Sequence, residues 1–186
     1  MTAFSYARVP IPLDGALQRF AEWIGLPELE PPRRVRSLRS VDEACTDGEW
    51  RGVAVFAHEA DGWTVFEDFT GYLGMLPAER WIPLAGDDEL VFAGYNDAVP
   101  YGQLIVVRHG RVVREFLHDV QDPSQDVNRG RLERERADPI EDWVDAARFV
   151  DDDELADDGA DEGTLLLYVS DTPLGGFGPH HPTTAR

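Results

Sequence analysis

Four ionisable side chains lie near the ends of apolar segments and have the chemical types that bind metal ions. His58 and His118 each end an apolar run, and Glu67 and Asp119 lie at comparable positions. Imidazole nitrogens and carboxylate oxygens can share a zinc site when the segment ends that carry them converge. The chain nevertheless has no HExxH motif, no CxxC motif and no clustered ligand spacing. We therefore interpret the four as polar strand ends and predict no metal site and no cofactor.

Carboxylates are abundant, and one group of polar residues could support hydrolysis. Catalysis by two carboxylates needs different environments, so that one of them keeps a raised pKa. Glu67 and Asp68 are neighbours in a predicted strand and therefore point to opposite faces of its sheet. Asp68 and Asp97 each end a predicted strand instead, and His118 ends a third. These three residues define an alternative interpretation, a small hydrolase with a carboxylate-based site at strand ends.

Motifs for nucleophilic or nucleotide chemistry are missing from the chain. It contains no GxSxG, no GxGxxG and no Walker A loop. Cys45 is the only cysteine, so an internal disulfide is excluded. The acids around Cys45 would raise the pKa of its thiol and weaken it as a nucleophile. The favoured interpretation therefore assigns no catalytic residue.

The charge of the chain favours a protein partner. Its 36 acidic and 17 basic residues, all of the latter Arg, give a net charge of −19. Such a charge repels phosphate backbones and anionic lipids, so we predict no nucleic-acid partner and no membrane partner. A basic protein would be attracted, and complementary charge would speed the encounter. The acidic run 151–162 either contributes to this attraction or only keeps the chain soluble.

A contact surface for such a partner would combine acidic side chains with tyrosine anchors, because aromatic residues are enriched at the energetic centres of interfaces. The predicted surface consists of Asp87, Asp88, Glu89, Tyr95, Asp97, Tyr101, Asp151, Asp152 and Asp153. A basic connector near the N-terminus carries Arg33, Arg34, Arg36 and Arg39. These arginines either recognise phosphate or carboxylate groups or neutralise acids of the same chain.

The first residues lack the charged region and apolar run that define a secretory signal. No apolar stretch approaches the roughly 20 residues that span a bilayer. We therefore predict a cytoplasmic protein.

Two segments have the periodicity of amphipathic helices. The first extends from Asp14, the predicted N-cap, to Ile24. The second begins at Asp138, which would cap a helix whose first position is Pro139. In that second helix the apolar stripe would consist of Ile140, Trp143, Val144 and Ala147.

Strand signals fill most of the chain between and after these helices. A four-residue turn, 59–62, closes the first predicted hairpin. His109 and Gly110 form a two-residue type I′ turn that closes the second, and pairing across it places Val107 and Phe116 on one face. The predicted strands are Val53–His58, Trp63–Asp68, Leu90–Tyr95, Gln103–Val107, Val112–Leu117 and Leu165–Val169.

Strands joined by short turns, with helices before and after them, predict an α+β fold. We expect a single domain over residues 1–171. Its mainly antiparallel sheet would be flanked by the N-terminal helix and by a helix near 139–149. Residues 172–186 read as a flexible tail.

Four segments resemble a group of bacterial proteins of about this length that have no assigned activity. They are GWTVFEDFTGYLG, FAGYNDAVPYGQLIVVRHGRVVREFLHD, DVNRG and PIEDWVDAARFVDDDE, and the resemblance covers about residues 50 to 155. The order of an aromatic hairpin, acidic residues and a glycine-turn hairpin ending in Phe more distantly resembles small bacterial toxin-immunity proteins. This resemblance implies a cytosolic antagonist that covers a basic toxin, and it implies no catalytic residues.

Overall fold

Nine strands among the described residues form one antiparallel sheet with the order β2-β9-β3-β4-β1-β5-β6-β7-β8. The computed structural model describes residues 3–24, 33–35, 52–69, 71–152 and 163–169. The predicted α+β class is confirmed. The strands are β1 Ala3–Val9, β2 Arg33–Val35, β3 Gly52–Ala60, β4 Trp63–Asp68, β5 Leu90–Asn96, β6 Tyr101–Arg108, β7 Arg111–Asp119, β8 Val127–Arg129 and β9 Gly163–Val169.

Helices cover both faces of this sheet. The α-helices of the described residues are α1 Leu13–Ile24, α2 Ile82–Ala85 and α3 Trp143–Asp151. Single 3-10 turns occur at Leu73–Met75, Ala78–Trp81, Pro123–Gln125 and Glu133–Arg136. On the α1 face, Phe20 stacks on Phe66 at 4.7 Å between ring centroids, and Trp81 stacks on Phe92 at 4.5 Å. On the opposite α3 face, Phe149 belongs to a second buried apolar cluster.

The β3–β4 hairpin has a tighter turn than we predicted. Ala60 pairs with Trp63, so only Asp61 and Gly62 form the turn, and both have positive φ, 48° and 81°. Type I′ turns require this conformation, which Asp-Gly adopts readily. The predicted four-residue turn was therefore wrong. Since the register moves by two residues, each side chain keeps its predicted face.

The β6–β7 hairpin confirms the predicted His109-Gly110 turn, whose φ angles are 50° and 67°. Its register shifts between Val106 and Val107, where a β-bulge interrupts the ladder. Beyond the bulge Phe116 pairs with Leu104 and packs on the α3 face. The prediction that Phe116 shares a face with Val107 was wrong, because the extra residue of a bulge reverses the alternation of the strand.

The helix predicted from Asp138 begins four residues later. Asp142 is its N-cap, accepting hydrogen bonds from the backbone N–H groups of Val144 and Asp145. The buried residues of α3 are Ala146, Phe149 and Val150, whereas Val144 is exposed. The predicted start and stripe were wrong because the Asp142–Asp145 capping box competes with the upstream Asp-Pro signal.

Replacement of the cap tests this helix start. We expect Asp142→Ala to lower the free energy of unfolding by about 1 kcal/mol, because two backbone donors lose their acceptor. Asp138→Ala is the matched control, since Asp138 is exposed and only faces Arg148 at 3.5 Å. Urea unfolding followed by circular dichroism measures both changes. Equal losses for the two variants would contradict the assignment of Asp142 as the cap.

The N-terminal part of the chain differs from the prediction in the start of α1, in the basic connector and in an additional strand. α1 begins at Leu13, whose backbone N–H donates to the Glu59 carboxylate at 2.8 Å, so Asp14 lies in the first turn and is not the cap. The basic connector is not continuous, because Arg33 and Arg34 belong to edge strand β2, which pairs with β9. The structure also adds β1, a strand that we did not predict, at the centre of the sheet.

Candidate functional site

A cleft of about 850 Å³ opens on the α1 face, beyond the part of the sheet that α1 covers. Strand registers place Ser5, Gly94, Gln103 and Leu117 side by side across β1, β5, β6 and β7. Gly94 follows the buried Phe92 by two residues, so this row lies on the same face. The row forms the floor of the cleft.

The wall of the cleft is the segment 71–78, which includes the 3-10 turn Leu73–Met75. Asp68, at the end of β4, positions this wall by accepting a 2.7 Å hydrogen bond from the backbone N–H of Leu73. Two glycines keep the space open, because Gly94 in the floor and Gly74 in the wall have no side chains. A Cβ at Gly74 would lie 3.6 Å from Gln103 Oε1 and 3.7 Å from Phe92 Cζ.

Tyr101 orients the amide of Gln103 in the floor. The hydroxyl of Tyr101 donates to Gln103 Oε1 at 2.7 Å, and it also lies 3.4 Å from the carbonyl oxygen of Gly74. Burial raises the pKa of Tyr101, and the Asp119 carboxylate raises it further, so the phenol stays protonated as a donor. The Gln103 oxygen is thereby occupied, while the side chain is only 8% exposed. Its Nε2 has no hydrogen-bond partner among the described residues, and Gln103 lines the cleft.

The cleft combines carboxylates with exposed apolar side chains. Asp68, Glu115 and Asp119 lie on its face of the sheet, and the described residues that line it include no Arg, Lys or His. Arg129, outside the lining, lies 3.4 Å from Glu115 and is itself largely exposed. Phe69, Met75 and Val99 on the rim are 40%, 48% and 39% exposed. These three are most of the exposed large apolar residues in the described part of the chain.

The residues of the predicted contact surface lie at two ends of β5. Asp87, Asp88 and Glu89 precede the strand and Asp97 follows it, so its seven residues, roughly 23 Å, separate the two groups. Tyr101 lies in the cleft beside the second group.

Three acids of this predicted surface have partners within the chain. Asp88 pairs with Arg19 at 3.1 Å, and Glu89 pairs with Arg108. On the α3 face the hydroxyl of Tyr95 donates to Asp151 at 3.2 Å, and burial followed by the Asp151 charge raises the Tyr95 pKa. Asp152 is the C-cap of α3 and is exposed. Asp153, the rest of the acidic run, Arg36, Arg39, Cys45 and the predicted tail 172–186 lie outside the described residues.

The residues of the conceivable metal site are dispersed. His58 and Glu67 form a buried pair, 3.0 Å apart, on β3 and β4. His118 lies on β7, five strand positions or roughly 24 Å from β3, and its Nδ1 accepts from the backbone N–H of Trp143. No group of three or more potential ligands occurs among the residues that the structure describes.

The alternative hydrolase site is likewise not assembled. Asp68 and His118 lie on strands four positions apart, roughly 19 Å, which exceeds any hydrogen-bonded constellation. They also face opposite sides of the sheet, since Asp68 binds the wall of the cleft and His118 binds α3. Asp97 lies in the turn after β5 and is not part of the cleft lining. The structure therefore gives these residues separate local roles.

The central residues of the cleft were missed by sequence reasoning, although two signals pointed to them. Gln103 is a polar residue that begins an apolar run, and such a residue in a covered strand needs a specific partner. Gly94 interrupts another apolar strand, which indicates a close backbone approach. Its Cβ would lie 2.7 Å from that of Ser5. Gly74 and the apolar rim carried no such signal.

Comparison with known proteins adds no further assignment. No protein-family model, no curated protein and no solved structure matches this chain. Among the described residues, no helix has both the length and the apolarity needed to cross a bilayer.

Proposed function

We propose that this chain is a protein-binding module that antagonises a basic partner, in the manner of a toxin-immunity protein, and that the cleft is its contact site. The observation that carries the proposal is the cleft lining, in which exposed apolar side chains surround carboxylates without any described basic residue. Apolar side chains supply the contact area of an interface, and charge complementarity selects the partner.

The location of the charge also supports this proposal. Asp88 and Glu89 at the other end of β5 are neutralised within the chain, by Arg19 and Arg108. Asp119 has no arginine partner among the described residues, and its Oδ1 accepts from the backbone N–H groups of Gln121 and Asp122. Asp119 therefore offers a partner a carboxylate at the cleft that no described arginine neutralises.

The test is co-purification of the tagged chain from its native host, followed by measurement with the purified partner and with the product of the adjacent gene. We expect a one-to-one complex with a basic protein. Its dissociation constant should rise at least about tenfold between roughly 0.05 and 0.5 M salt, because salt screens exposed charges. Co-expression should also suppress any growth defect that the basic protein causes.

Two results would count against the proposal. One is recovery of no basic partner at low ionic strength, even when the adjacent gene product is supplied. The other is a complex whose affinity is independent of salt, since its formation would not depend on the charge of the cleft.

A further inference from the structure

The floor of the cleft contains a hydrogen-bond donor, the side-chain amide of Gln103, for which the described residues provide no acceptor. Gln103 is only 8% exposed, and its Oε1 accepts a hydrogen bond from the Tyr101 hydroxyl. The Nε2 group therefore presents two N–H donors to the cleft, and no described residue accepts from them. Because this donor is accessible only from the cleft, a ligand there that has a carbonyl oxygen can accept a hydrogen bond from it.

A second feature of the same cleft indicates a cation. Asp119 pairs with Tyr101 across β6 and β7, one row beyond Gln103. Its Oδ1 accepts two backbone hydrogen bonds, and its Oδ2 has no partner among the described residues. A carboxylate with one oxygen fixed and one available accepts a charge-assisted hydrogen bond from an ammonium or guanidinium group.

We infer that the cleft binds a peptide segment of the partner, in which a Lys or Arg side chain reaches Asp119. This inference rests on the proposed function. A main-chain carbonyl oxygen of the same segment accepts from Gln103 Nε2. Apolar neighbours of the basic residue pack on Phe69, Met75 and Val99 at the rim. An isolated alkyl cation would satisfy Asp119 alone, whereas a peptide satisfies the donor, the carboxylate and the apolar rim together.

Synthetic peptides test this inference directly. The probes are the N-acetylated, C-amidated tripeptide Leu-Arg-Leu, the same peptide with citrulline in place of Arg, and butylguanidinium. We expect two-dimensional NMR titration to show the arginine peptide shifting the side-chain amide resonances of Gln103. The citrulline peptide should bind roughly tenfold more weakly, because one charge-assisted hydrogen bond is lost. Butylguanidinium should leave the Gln103 resonances in place.

Variants of the cleft supply the second arm of the test. Asp119→Asn keeps an acceptor for the Gln121 and Asp122 N–H groups but removes the charge, and should weaken the arginine peptide roughly tenfold. The matched control is Asp61→Asn, the same charge change in the exposed β3–β4 turn. Gly74→Leu should abolish binding by filling the space before Gln103 and Phe92. Its control is Gly15→Leu on α1, where a Cβ meets nothing within 4 Å.

The outcomes separate this inference from the proposed function. The inference is overturned if the citrulline and arginine peptides bind with equal affinity. It is also overturned if neither peptide shifts the Gln103 resonances at peptide concentrations up to about 10 mM, because a specific site of this size binds more tightly than that. It is also overturned if a basic partner binds Asp119→Asn and Gly74→Leu as tightly as the native chain, a result that leaves the proposed function standing. Thermal unfolding of each variant confirms that its fold is intact.

Discussion

Replacement of Glu135 by Gln should lower the free energy of unfolding by about 3–5 kcal/mol, because it leaves a buried guanidinium without its counter-charge. Glu135 and Arg114 are 1% exposed each. Arg114 donates from Nε and Nη2 to the two oxygens of Glu135, at 3.0 and 2.8 Å. Glu135 Oε2 also accepts from the backbone N–H of Leu132 at 2.7 Å. A glutamine oxygen could keep that bond only by placing its NH2 group against the Nη2 donor of Arg114.

The control for this prediction lies on the same 3-10 turn. Glu133 pairs with Arg136 at 3.7 Å, but the two side chains are 90% and 82% exposed. Glu133→Gln therefore removes the same charge from a solvated pair, and we expect no measurable change. In thermal unfolding, Glu135→Gln should lower the melting temperature by roughly 6–20 °C for a chain of this size. Equal melting temperatures for the two variants would refute a stabilising role of the buried pair.

Gly130→Ala should lower the free energy of unfolding by about 2–5 kcal/mol, because a left-handed alanine costs about 1–2 kcal/mol and a displaced backbone about 1–3 more. Gly130 has a φ of +68°, and a Cβ there would lie 2.1 Å from the carbonyl oxygen of Val113. Val113 is the extra residue of the β7 bulge. The segment that leads to the Glu133–Arg136 turn therefore passes too close to the bulge for any side chain.

Gly110→Ala separates the two costs. Gly110 has nearly the same φ, +67°, but a Cβ there meets nothing within 4 Å. We expect this variant to lose only the backbone term, about 1–2 kcal/mol. Urea unfolding at equilibrium measures the difference between the two alanine variants. If Gly110→Ala is as destabilising as Gly130→Ala, the close packing on Val113 does not contribute to stability.

Both predictions depend on one irregularity that the sequence does not reveal. The bulge between Val106 and Val107 turns Arg114 and Phe116 to the α3 face. Arg114 then reaches Glu135, Asn128 and the carbonyl oxygen of Ile140. Strict alternation from the turn predicted instead that Phe116 shares a face with Val107. A bulge is stabilised by the residues that pack against it, and in this chain Gly130 packs on Val113 from seventeen residues further along the chain. The local sequence pattern therefore cannot predict where the bulge lies.

Local signals succeeded where the chemistry of a few neighbouring residues decides the conformation. The His109-Gly110 turn was predicted because its positive φ angles suit these residue types. The Asp61-Gly62 turn carried an equally strong signal, and the four-residue interpretation overlooked it. The helix predicted from periodicity was confirmed as α1, whose buried residues are Ala16, Phe20, Trp23 and Ile24. The cap of α3 was misplaced because two acidic starts lie four residues apart.

The sequence by itself determined the class of fold, the hairpins and the negative charge, since these follow from periodicity, turn chemistry and residue counts. Only the tertiary structure decided that β1 lies between β4 and β5, because that pairing joins residues about sixty to ninety positions apart. The cleft arises from this arrangement, for its floor needs Ser5 beside Gly94 and Gln103, and its wall needs Gly74 above them. No local pattern contains such a site, because its side chains meet only after strands distant in the chain have paired.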